Sequence, residues 1–87
     1  MTIWKFPLPV TDEVTVAALP VGAQILTVQM QHDIPCIWAL VDQYAKSEER
    51  RFRTYGTGYD IPANPGQYIG TVHMHGSILV WHVFEVK

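Results

Sequence analysis

Apolar and polar residues alternate along most of this chain with a period of two rather than 3.6, which predicts strands throughout. In "TIWKFPL", Trp4, Phe6 and Leu8 fall on one face opposite Lys5. Pro7 confines that strand to an edge or a terminus, because proline has no N–H for a ladder. "EVTVAALP" runs to Pro20, and "VGAQ" supplies a turn. "QILTVQMQ" then alternates, with Leu26, Val28 and Met30 expected inward and Thr27, Gln29 and Gln31 outward. "HDIP" reverses the chain into "CIWALVD", which is apolar on both faces and is expected at the centre of a sheet or under a second layer.

"QYAKSEE" has room for no more than a single helical turn. "RRFRTYGTG" returns as a strand with Phe52 inward, and "YDIPANPG" is a loop rich in turn residues. Two final strands, "QYIGTVHM" and "SILVWHVFEV", meet at a hairpin signal, His75-Gly76. In the first of these, Tyr68, Val72 and Met74 are the expected core face. About seven short strands, turn signals roughly every 8 to 12 residues and little helix predict an all-β fold. The expected form is a small antiparallel sandwich or barrel, one domain over residues 1–87.

Composition adds an expectation about assembly. A chain of 87 residues buries only roughly 60 to 65% of its unfolded surface. Yet 48% of its residues are hydrophobic, including three Trp, four Tyr and three Phe, more than so small a monomer readily hides. A homo-oligomer is expected, with its interface on the last strand at Leu79, Trp81, Val83 and Phe84. The net charge of −2 and pI near 6.0 provide no general field for a nucleic-acid polymer or an anionic membrane. The longest apolar runs, "CIWALV" and "ILVW", fall far short of the ~20 residues that span a bilayer. "MTIWKFPLPV" lacks the features of a signal peptide. The single cysteine, Cys36, excludes an intrachain disulfide, and its apolar neighbours predict a buried thiol. Together these features predict a soluble cytoplasmic protein.

Candidate chemistry concentrates in one stretch. Four of the six basic residues, Lys46, Arg50, Arg51 and Arg53, fall within eight positions. Alternation places Arg51, Arg53 and Tyr55 together opposite Phe52, with residues two apart ~6.5 to 7 Å from one another. Two guanidinium forks at that spacing suit adjacent phosphates. The strand runs into Gly56, Thr57 and Gly58, whose backbone and hydroxyl donors suit an anion-binding nest, and Tyr55 or Tyr59 can stack on a ring. The bland alternative is a solvated face balanced by Glu48 and Glu49.

His73 and His75 form an H-x-H pair that can share a metal on a strand. None of His32, His82, Asp60 or Cys36 has a spacing that singles it out as a third ligand. His75 more simply shapes the hairpin, and His82 is expected in an interface with a hydrogen-bonded ring. No catalytic arrangement can be argued from residue order, and no cofactor is implied.

At "TIWKFPL", "IPCIWALVD", "YGTGYDIP" and "GSILVWHVFE" the chain resembles a family of short proteins, of no established activity, encoded by bacteriophages and their bacterial hosts. The resemblance covers nearly the whole chain. Relatives are expected to carry a histidine soon after the GTG stretch, where this chain has Tyr59 and Asp60. By analogy of setting, the resemblance implies a non-enzymatic binder in the bacterial cytoplasm that sequesters a small anionic ligand such as a nucleotide immune signal. The rival expectation is an adaptor that docks on a host protein through a strand edge or an apolar terminal strand. A metal-dependent enzyme using His73 and His75 comes last.

Overall fold

The computed structural model describes residues 1–11, 13–76 and 78–86. Seven strands follow in chain order: β1 (Thr2–Pro7), β2 (Thr15–Pro20), β3 (Gln24–Gln31), β4 (Ile34–Val41), β5 (Ser47–Gly56), β6 (Gln67–Met74) and β7 (Leu79–Val86). They form a three-stranded sheet of order β1-β4-β3 and a four-stranded sheet of order β2-β5-β7-β6, and every ladder is antiparallel. The sheets stack into a flattened sandwich measuring 39 × 30 × 16 Å. The described residues include no helix, so none is long and apolar enough to cross a membrane.

The core lies between the sheets. Ile37, Ala39 and Val41 of β4 meet Phe52, Val72 and Val83 of the other sheet, and Leu8, Leu19 and Val28 close the cluster. Proline at the end of β1 is tolerated because that strand is an edge, as its sequence predicts. β4 is the centre of its sheet, and Cys36 is buried on it. The segment read as a helical turn is a tight turn in which Asp42 accepts from the Tyr44 amide, and β5 begins at Ser47.

Two strands depart from simple alternation. The β3 register slips between Ile25 and Thr27. Ile25, Val28 and Met30 therefore face the core while Leu26, expected inward, is 45% exposed. The β6 register slips between Tyr68 and Gly70. Ile69 packs on the core instead, and Tyr68, expected there, is 54% exposed. A bulge adds one residue to one strand and so exchanges the faces on either side of it. The two bulged strands lie together along one side of the sandwich. A Cβ on Gly70 would stand 2.8 Å from Val28 Cγ1, so the missing side chain permits their close approach.

The β3–β4 hairpin pairs Gln31 with Ile34, leaving a two-residue turn at His32 and Asp33 with φ of 52° and 62°. Positive φ at both central positions is the type I′ form, which favours Asn-Gly. Replacing His32→Asn with Asp33→Gly is expected to stabilise the fold by about 1 kcal/mol, since left-handed backbone costs ordinary L-residues about that much or more. Thermal melting followed by circular dichroism checks it, with an expected rise of roughly 4 to 8 °C.

Candidate functional site

β5 is longer than its neighbour on one side. β2 pairs with it only from Ser47 to Phe52, so Arg53 to Gly56 run on past the end of β2. The segment before β2 covers part of this free edge, where the Thr54 hydroxyl donates to the Thr11 carbonyl at 3.2 Å. Between Val10–Thr11 and the loop after β5 lies a cleft of about 530 Å³. Arg53, Tyr55, Tyr59, Asp60 and Trp81 complete its lining.

The arginine in this cleft is held by an aromatic shelf. The Arg53 guanidinium lies over the Tyr55 ring, 5.0 Å from its centroid, a cation–π geometry. Tyr55 is only 5% exposed and meets Phe84 edge-on at 5.8 Å. It therefore supports Arg53 and has no free face on which a ligand could stack. Tyr59 stands edge-on to Trp81 at 6.1 Å and is 63% exposed. Two nitrogens of this cleft's lining side chains, Arg53 Nε and Trp81 Nε1, are buried without a hydrogen-bond partner. Each such orphan donor costs about 1 to 3 kcal/mol relative to a satisfied one.

The expected pair of arginines does not converge. Arg51 shares the Arg53 face but is exposed and lies outside the cleft, because the cleft begins only where β2 ends. Arg50 points the other way and is already committed. Its Nε and Nη2 donate to the Glu85 carboxylate at 2.5 and 2.7 Å, and Nη1 donates to the Ala23 carbonyl at 2.5 Å. That hydrogen-bonded carboxylate raises the Arg50 pKa against the opposing effect of burial.

The glycine loop differs from the nest expected of it. The Thr57 amide donates to the Val80 carbonyl at 3.2 Å and the Tyr59 amide to the Gly56 carbonyl at 3.1 Å. Gly58, with φ of +88°, takes the position of a type II turn that requires glycine. The Thr57 and Tyr59 amides are thus committed to β7 and to the turn rather than to an anion. Gly56 is buried, and a Cβ there would stand 3.1 Å from the Tyr59 ring and 3.2 Å from the Trp81 ring. Its role is to let those rings pack over the backbone.

The Thr57 hydroxyl joins a network that residue order does not reveal. It bonds His82 Nε2 at 2.8 Å, and His82 Nδ1 bonds the Thr71 hydroxyl at 3.0 Å. Thr71 in turn pairs with the Tyr68 hydroxyl. His82 has the hydrogen-bonded ring expected of it, on the outer face of the four-stranded sheet. The Thr71–His82 pairing becomes apparent only once the β6 bulge sets the register.

β7 sits between β5 and β6, so it is no free apolar edge. Val83 is 0% exposed within the core of one chain and so cannot reach a partner subunit. Trp81 lines the cleft, Phe84 lies half-buried between Tyr55 and Tyr68, and Leu79 is exposed. His73 is exposed, and His75 takes φ of 51° in the hairpin turn. Among the described residues, no three His, Cys, Asp or Glu side chains are placed to share a metal.

No curated protein and no solved structure matches this chain. The model of one family, a domain of unknown function, DUF7352, matches residues 1–87. From its first residue to its last, the chain belongs to the DUF7352 family.

Proposed function

We propose that the cleft at the free end of β5 binds a small anionic molecule, with Arg53 as its charged anchor. The observation that carries this reading is the pair of buried donors without acceptors, Arg53 Nε and Trp81 Nε1, on two side chains that line one cleft. A phosphate or carboxylate oxygen that reaches either nitrogen as a lining side chain shifts supplies the missing acceptor, and bonds to a charged donor contribute about 1.5 to 3 kcal/mol each. Binding without turnover is the reading that fits these residues. In the setting of short phage-encoded proteins, the ligand is a nucleotide signal of a bacterial antiviral system, sequestered in the host cytoplasm.

The test is isothermal titration of the purified protein with inorganic pyrophosphate, adenosine monophosphate and cyclic dinucleotides. Arg53→Gln is expected to weaken binding about tenfold or more, while Arg51→Gln changes it less than about twofold, as an exposed charge does. The reading fails if none of these molecules gives heat with the unaltered protein, or if the Arg51 and Arg53 variants lose equal affinity.

A second reading, docking of another polypeptide, is favoured by the edge strands. β1 is paired on one side only, and Ile3 and Trp4 on it are exposed. That edge suits strand addition by a host protein or a second copy of the chain. Sedimentation of the protein alone and a host-lysate pull-down with a Trp4→Lys variant as control separate those partners.

A further inference from the structure

We propose that the ligand is bipartite, with its anionic group at Arg53 and a flat ring in a second hollow behind Tyr59, so that a nucleoside 5′-phosphate fits the whole. The inference rests on the anion reading above and adds to it the shape of the rest of the molecule.

The second hollow, about 360 Å³, is walled by Ile78, Leu79, Val80 and Thr57. It shares two residues with the Arg53 cleft, Tyr59 and Trp81. The two spaces are therefore neighbours that meet at the Tyr59–Trp81 pair. Tyr59 is well placed to move. Its ring is largely exposed, its backbone follows Gly58, and the chain from Asp60 to Gly66 forms no strand. Gly56 adds no side chain beneath the Tyr59–Trp81 junction.

The buried state of Arg53 Nε and Trp81 Nε1 gives that motion a consequence. Both nitrogens are buried, so an acceptor reaches them only when a lining side chain shifts. Displacement of Tyr59 joins the two hollows and frees the Trp81 face for stacking, where an aromatic base gains contact regardless of its hydrogen-bonding edge. Asp60 lies in the same cleft as Arg53. A carboxylate beside an anion site opposes a bare phosphate but accepts hydroxyl donors, which is what a ribose between ring and phosphate presents. The chemical class is then a ring, a polyhydroxyl spacer and a phosphate.

The experiment titrates the full chain with ribose 5-phosphate and with adenosine monophosphate, following heat and tryptophan fluorescence. Adenosine monophosphate is expected to bind about tenfold or more tightly than ribose 5-phosphate, with a fluorescence change that ribose 5-phosphate lacks. Leu79→Asp, which puts a carboxylate in the ring hollow, is expected to bring adenosine monophosphate down to the ribose 5-phosphate level. Its unchanged ribose 5-phosphate affinity shows that this variant is folded. Equal affinities for the two ligands in the unaltered protein overturn the bipartite ligand and leave the anion site standing, as does a preference that survives Leu79→Asp. If neither binds, the bipartite ligand falls, and heat from pyrophosphate or a cyclic dinucleotide decides whether the anion site falls with it.

Discussion

Gly66→Ala is expected to destabilise the protein by about 3 kcal/mol or more, lowering the melting temperature by roughly 12 to 24 °C. Gly66 leads into β6 with φ of +101°, and a Cβ there would stand 2.1 Å from the Glu85 carbonyl oxygen and 2.9 Å from its carbon. Those are backbone atoms of the central β7, which cannot turn aside as a side-chain tip can. Alanine therefore meets both left-handed strain and overpacking. Gly58→Ala separates the two effects. Gly58 also has positive φ, yet its Cβ would meet nothing within 4 Å, so this variant is expected to lose only about 1 kcal/mol. Similar losses at the two positions, measured by thermal melting, would contradict the close approach of the Gly66 loop to β7.

Arg50→Met is the second large effect, an expected loss of about 2 to 3 kcal/mol in urea unfolding. The substitution leaves the Glu85 carboxylate and the Ala23 carbonyl without their shared donor. Breaking a fully buried pair costs about 3 to 5 kcal/mol. The smaller figure reflects side chains that remain 17% and 20% exposed and so keep some water. The double variant Arg50→Met with Glu85→Leu is expected to recover most of the loss, because no unpaired charge is left behind. The raised Arg50 pKa makes its contribution complete at any pH below the ordinary arginine value. That contribution fades only as pH climbs through the raised folded value, so the Arg50 effect is expected to stay constant across the neutral range.

The strands were legible in the sequence because their apolar alternation is local, and Pro7, Pro20 and Gly76 mark where it breaks. Leu26 and Tyr68 were misplaced because a bulge leaves no mark in a hydrophobic pattern. Both residues look like the next inward position until the partner strand fixes the register. The site was legible in part for the same reason. Arg53 and Tyr55 share a face by simple alternation, but the contrast between Arg51 and Arg53 depends on where β2 stops. Trp81 suggested a subunit interface because β7 is apolar on both sides, whereas burial in the middle of a sheet explains that pattern equally well. The part played by Val10 and Thr11, more than forty positions from Arg53 in the sequence, comes from sheet topology alone.

The most direct test of the anion cleft is a ¹⁵N-resolved NMR titration with adenosine monophosphate, read at the three indole N–H signals and the arginine Nε–H signals. The expected result is a saturable shift of Trp81 Nε1–H and Arg53 Nε–H, with Trp4, Trp38 and Arg51 unmoved. Signals of Trp81 and Arg53 that stay in place, or shifts that appear equally at all three tryptophans, would contradict the proposed site.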